Sequence, residues 1–197
     1  MEIKYSLEGA FLYAAMLLYL SAFVASILRR VEAGRRLFCT GFITTVITVL
    51  VRWYMVRHIP MQNLYEVFLV MGAAMYSLSC FCRRILRIGA DAADMLIGVI
   101  VLGPAGFFFS AEPNQLPPAL QCWLFAPHVA VYLLAYILMT KAAVQAVCQL
   151  MQVTNDRDMP RPDYERGTYR MIAFGFPLMT TGLVLGSWWG HLAWGDF

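Results

Sequence analysis

The chain has 197 residues, of which 60% are hydrophobic and 14% charged, with a mean hydropathy of +0.63 and a formal net charge of +3. That balance excludes a soluble globular domain and makes the chain an integral membrane protein; the small positive charge is a topology signal, so no nucleic-acid partner is expected. The apolar stretches are long and lack the ten-residue alternation of a barrel, so helices are predicted.

Six stretches approach the about 20 apolar residues that a spanning helix needs: roughly 9–28, 37–56, 63–82, 92–110, 124–150 and 168–190. The expected fold is an all-α bundle of about six transmembrane helices, with 1–197 as one domain. Glu2 and Lys4 precede the first stretch and basic residues follow it, the reverse of a signal peptide's charge order, so it is expected to be retained. Arg29, Arg30, Arg35 and Arg36 follow the first stretch, Arg83, Arg84 and Arg87 the third, and Arg157, Arg161, Arg166 and Arg170 the fifth. Only Lys4, Arg52 and Arg57 fall to the other side, so both termini are expected on the outer, periplasmic face of the plasma (inner) membrane. Cys39, Cys80, Cys82, Cys122 and Cys148 form no C-x-x-C, which indicates neither a zinc site nor a thioredoxin-like pair.

Three outward segments carry the remaining information. In His58–Glu66, Asn63 at an N-cap and Glu66 three residues later form a capping box for the third helix. In Leu120–Val129, Pro127 is tolerable in a first helical turn, and His128, Tyr132 and Tyr136 share a face with Met139 beyond. A histidine at such a boundary is either a hydrogen-bonded bundle residue or a metal ligand. In the sixth stretch, Gly182, Gly186 and Gly190 recur every four residues with Gly175 seven before, a stripe suited to close helix packing or to a flat ligand lying near the backbone. Trp188, Trp189 and Trp194 follow, either as a boundary belt or as a flat aromatic shelf. Pro177 is expected to bend this helix.

These segments resemble, in order, motifs of the CcsA/ResC/CcmC family of cytochrome c assembly proteins. Pro60, Asn63, Leu64, Tyr65 and Glu66 match its P-x-x-N-L-Y-E segment, and Phe174-Gly-Phe-Pro177 contains its G-F-P. Leu120, Trp123, Leu124, His128 and Val129 match the segment that precedes its tryptophan motif. Trp189, Trp194 and Gly195 fit the W-x-x-x-x-W-G start of that motif, while the W-x-W-D core does not occur before Phe197. The resemblance implies non-covalent haem b at the outer face, with His128 as an axial ligand of the iron and Trp189, Trp194 and Gly195 against the ring. Asn63, Tyr65, Glu66, Trp123 and Tyr132 would be supporting residues. It further implies presentation of haem to an apocytochrome c, whose C-x-x-C-H thiols add to the vinyl groups. The expected partner is a periplasmic-domain protein of the CcsB/ResB type or a haem chaperone, and the chain would be an assembly factor or part of a ligation complex rather than a stand-alone enzyme.

The family's second external histidine lies beyond the W-x-W-D core, so the sequence is expected to be either a truncated product or one completed by a separately encoded chain. Arg52 and Arg57 are candidates for propionate pairing or for snorkelling at a helix end. Two rivals remain, a membrane thiol or quinone redox protein using Cys122 and a small polytopic transporter. For the transporter the embedded candidates are Glu66, Asp94 and Lys141, with a Lys141–Asp94 meeting inside the bundle as its best support; otherwise Lys141 is expected to snorkel.

Overall fold

A computed structural model describes residues 4–89, 91–113, 115–153 and 163–195. Arg157 and Arg161, together with Asp196 and Phe197 of the tryptophan run, lie outside the described residues. Six long helices follow one another: α1 (Leu7–Ile27), α2 (Val31–Val56), α3 (Leu64–Phe81), α4 (Asp91–Phe107), α5 (Phe125–Val153) and α6 (Tyr164–Trp194). A π-helical turn, Cys82–Leu86, extends α3, a 3-10 turn, Pro118–Gln121, precedes α5, and no strand occurs among the described residues. Five of the helices are long and apolar enough to cross a membrane, whereas α4 is shorter, with an apolar part of Ala92–Phe107. The expected span to residue 110 ends early because the N–H groups of both Phe108 and Phe109 turn back to the carbonyl of Pro104.

The ends of the helices follow from local chemistry. Ser6 caps α1 by accepting from the N–H of Gly9, and Asn63 caps α3 by accepting from the N–H of Glu66 at 2.9 Å. Arg29, Arg57 and Arg87 adopt left-handed backbone angles (φ 61°, 62° and 56°) just past α1, α2 and the π turn. Each places a cation where the helix dipole ends negative.

Between helices in lipid, association rests on close packing and on polar contacts rather than on water exclusion. Leu12, Ala15, Tyr19 and Ala22 form the buried seam of α1, and Gly34, Phe38, Gly41, Thr45, Thr48 and Arg52 that of α2, both at alternating steps of three and four. Tyr19 is the pin of this group. Its ring fills the space at Gly41 and Gly98, where a Cβ would come within 2.5 and 2.7 Å of it, and its hydroxyl donates to the carbonyl of Gly72 at 3.0 Å. Helices α1–α4 thereby form one packed group, and α5 and α6 form an extensive antiparallel hairpin that meets the group mainly through α3.

The helices alternate in direction. Lys4 reaches the carbonyl of Phe109 (2.5 Å), Arg52 that of Ala111 (2.5 Å), Gln62 that of Gln115 (2.8 Å) and Trp189 that of Ala119 (3.0 Å). The three motif-bearing segments therefore lie at one end of the bundle. At the other end, Arg170 donates to the carbonyl of Leu86 at 2.5 Å, next to Arg83, Arg84 and Arg87.

Candidate functional site

The first turn of α5 forms after the Trp123–Leu124 turn, where the N–H of Phe125 bonds to the carbonyl of Cys122, and that of His128 bonds to Leu124. Pro127 costs nothing there, since its missing N–H would have had no helical partner. His128 is half-buried and faces α6. Its Nδ1 lies 2.8 Å from the carbonyl of Gly182, so Nδ1 carries the proton and Nε2 carries the lone pair. No hydrogen bond to Nε2 occurs among the described residues. A backbone carbonyl that fixes the tautomer in this way is what orients a histidine for metal ligation.

The glycine stripe of α6 and the aromatic face of α5 are two halves of one interface. A Cβ on Gly186 would lie 2.4 Å from Cε1 of His128, one on Gly182 would lie 3.1 Å from the ring of Tyr132, and one on Gly175 would lie 2.9 Å from Cε of Met139. Steps of four and seven on α6 meet steps of four and seven on α5. The stripe thus serves close helix packing, and the space at these glycines is filled by α5 rather than by a flat ligand. The helix runs unbroken through Pro177.

The indole of Trp189 lies parallel to the imidazole of His128, with ring centres 5.7 Å apart and an interplanar angle of 16°. Its Nε1–H is anchored on Ala119, and Phe125 packs against it at 5.9 Å. Tyr132 meets the imidazole edge-on at 5.0 Å and stacks on Tyr136. Trp194 stands at 66° to Trp189, 4.8 Å away, and is 64% exposed. The tryptophans therefore make a stepped wall and not one flat shelf, because successive helix positions turn their rings to different faces. Trp188 and Trp123 meet edge-on at 5.8 Å, both half or more exposed, as residues of a boundary belt do. Gly195 closes α6 with φ 81°, its N–H bonded to the carbonyl of His191, in a conformation that glycine adopts without strain.

Asn63, Tyr65 and Glu66 belong to a different cluster at the same end. Among the described residues no hydrogen bond, ion pair or ring contact joins them to His128, Tyr132 or Trp189. Arg52 is fully buried and donates from Nε to Glu66 at 2.9 Å, lies 3.7 Å from Glu8, and holds the carbonyls of Ala111 and Glu112. The hydroxyl of Tyr65 donates to Glu8 at 2.7 Å, and Glu66 also accepts from the N–H of Gln62. Snorkelling does not describe Arg52, since two carboxylates from α1 and α3 compensate its charge inside the bundle. Arg57 instead lies over the ring of Tyr54 at 4.5 Å.

Lys141 does not snorkel either. Its ammonium pairs with one oxygen of Asp94, and the other oxygen of that carboxylate accepts from Ser79 at 2.5 Å, all three buried. The pair joins α5 to α4 and α3. Sequence reasoning raised the Lys141–Asp94 meeting only as support for a transporter and missed the Arg52 network, whose only signal was charge within apolar stretches.

Residues 5–197 match the sequence model of the family described as cytochrome C assembly protein. The chain belongs to this family. It is similar to the cytochrome c biogenesis protein CcsA of Chlamydomonas reinhardtii, with 24% identity over 172 residues covering 77% of this chain and 47% of that protein. It also resembles CcsA of Marchantia polymorpha, at 24% over 243 residues (95% and 72%), and CcsA of Guillardia theta, at 26% over 192 residues (79% and 61%). The chain thus spans about half of the first relative and more of the others. In this multi-pass membrane chain two of the three segments, the His128 segment and the glycine–tryptophan helix, pack directly against each other.

Proposed function

We propose that the chain serves cytochrome c biogenesis by holding haem b at the α5–α6 end, with Nε2 of His128 as an axial ligand, and by presenting it to an apocytochrome c. The observation that supports this most directly is the fixed tautomer of His128: Nδ1 is engaged by Gly182, Nε2 has no hydrogen-bond partner among the described residues, and Trp189 lies parallel to the ring. Haem, when bound, supplies an iron that takes a nitrogen donor and vinyl groups to which client thiols add. Gly182 and Trp189 hold the imidazole in orientation, and Tyr132 packs edge-on against it. Trp194, largely exposed beside Trp189, offers an open aromatic face to a ligand or client. Gly195 ends the helix there without adding bulk. A periplasmic-domain protein of the CcsB/ResB type or a haem chaperone is the partner chemistry this reading requires, and the plasma (inner) membrane, with this end periplasmic, is its setting.

A transporter is the second reading, since Lys141 and Asp94 do meet inside the bundle. Asp94 is held on both oxygens, however, which makes the pair a structural tie between α4 and α5. Family membership outweighs it.

The test is the reduced absorption spectrum of the purified chain beside a His128→Gly variant. A b-type spectrum that is lost in the variant and restored by added imidazole is the expected result. Unchanged haem in the variant would remove His128 from the ligand set, and no haem in either would sink the proposal for this chain.

A further inference from the structure

The hairpin and the α1–α4 group do not close along the seam between α3 and α6. At the arginine-rich end the seam holds a polar cavity of about 410 Å³ lined by Arg87, Arg166 and Arg170, with Gln145 among its walls. Next to it, deeper into the bundle, lies an apolar cleft of about 670 Å³ between Phe81 on α3, Leu138 on α5 and Phe174, Pro177 and Thr181 on α6. The two are consecutive along the same helices. On α6 the polar cavity uses residues up to Arg170 and the cleft begins at Ala173, while on the α3 side the cleft ends at Phe81 and the cavity begins at Arg87. Asp163 also borders the cavity, but its carboxylate accepts from the N–H of Arg166 as the N-cap of α6.

We propose that this seam binds an anionic phospholipid, with its phosphate headgroup among Arg87, Arg166 and Arg170 and an acyl chain in the cleft. A cationic mouth joined to an apolar slot matches an amphiphile of opposite charge, and basic pockets between membrane helices take such headgroups. A free inorganic anion would need the arginines and leave the cleft without a purpose. Among the described residues no histidine, cysteine or methionine that would hold a porphyrin iron lines either cavity. The headgroup cavity lies at the opposite end of the helices from His128, while the cleft extends as far as Thr181, next to Gly182; the proposal does not draw on the haem reading. A lipid seated there would fill the gap between hairpin and bundle, where Phe81 and Phe174 already meet edge-on at 5.6 Å.

The experiment uses the whole chain, delipidated in detergent, with dioleoyl phosphatidylglycerol or phosphatidylcholine added and adducts counted by native mass spectrometry. The variants are the pair Arg87→Gln and Arg166→Gln, both at exposed side chains, and Ala173→Phe, which fills the cleft; a thermal melt of each verifies folding. Discrete phosphatidylglycerol adducts in preference to phosphatidylcholine are expected. The arginine pair should weaken phosphatidylglycerol retention about ten-fold or more, Ala173→Phe should weaken retention of both lipids, and excess inorganic phosphate should displace neither. Equal retention of the two lipids, or adducts undiminished in the arginine pair, overturns the proposal. So does displacement by phosphate together with indifference to Ala173→Phe, which would leave a simple anion site. Displacement by haem in a His128→Ala background would overturn it in favour of a porphyrin.

Discussion

Gly186 and His128 are matched so closely that a methyl group on the glycine would lie 2.4 Å from Cε1 of the imidazole. The ring cannot retreat freely, because Trp189 lies parallel to it and Tyr132 meets it edge-on. Gly186→Ala is therefore expected to cost about 1–3 kcal/mol as an overpacked contact and to break the bond from Nδ1 to Gly182. Gly182→Ala, whose methyl would meet the ring of Tyr132 at 3.1 Å, should cost less. Thermal melts in detergent rank the two, and a spectral change larger for Gly186→Ala than for Gly182→Ala tests the link to His128; equal or no effects would show that the hairpin reopens without strain.

Arg52 ties α2 to Glu8 of α1, to Glu66 of α3 and to the carbonyls of the loop after α4. Arg52→Met leaves two buried carboxylates without their cation, and losses of roughly 3–5 kcal/mol are typical when one partner of a buried pair is removed. Arg52→Lys should rescue only part of this, because an ammonium has no planar fork with which to serve carboxylates and carbonyls together. Hydrogen exchange of the 108–121 loop should rise in both variants, more in Arg52→Met; an unchanged loop would mean that the network stabilises the helices alone.

Lys141 and Asp94 separate a structural tie from a transport site. Asp94→Leu or Lys141→Met alone strands a buried charge and is expected to destabilise by roughly 3–5 kcal/mol, whereas the double variant Asp94→Leu with Lys141→Met should be near neutral. Melts of the three variants provide the cycle. A double variant as unstable as the singles would show that the charges do more than compensate each other.

The periodic features were legible in the sequence, and the partners they meet were not. His128, Tyr132 and Met139 on one side and Gly175, Gly182 and Gly186 on the other are visible as helical stripes, because a period of 3.6 fixes which residues share a face. Which helix each stripe faces is set by tertiary packing, so the same glycines equally fitted a flat ligand until α5 was seen to fill them. Arg52 read as a snorkelling or propionate-pairing cation because its carboxylates come from α1 and α3, and for Lys141 snorkelling stood beside a meeting with Asp94, 47 positions away, that only packing could decide. The cap at Asn63 was legible since its partner Glu66 is three residues on. The seam between α3 and α6 was not legible, because a gap between two helices leaves no local pattern.

Charge bias predicts that the His128 end faces the periplasm, and the free thiols provide the test. Cys122 lies at that end, while Cys80 and Cys148 are near the arginine-rich end, and all three are partly exposed. A membrane-impermeant maleimide applied to spheroplasts should label Cys122 and spare the other two until the membrane is opened. The inverse pattern would reverse the orientation.

Trp189 joins the 3-10 turn before α5 to the end of α6 through its Nε1–H bond to Ala119, and so holds the wall behind His128. Trp189→Phe keeps an aromatic face against the imidazole but removes that donor. A neutral hydrogen bond of this kind contributes about 0.5–1.5 kcal/mol, so global stability should fall little. The expected signature is local: faster hydrogen exchange at 118–125 and a perturbed His128 ring environment in nuclear magnetic resonance, both absent in a control Trp188→Phe, whose ring meets Trp123 at the exposed boundary. Equal responses from the two variants would mean that the wall acts as a generic lipid belt, and that His128 is held by Gly182 and Tyr132 alone.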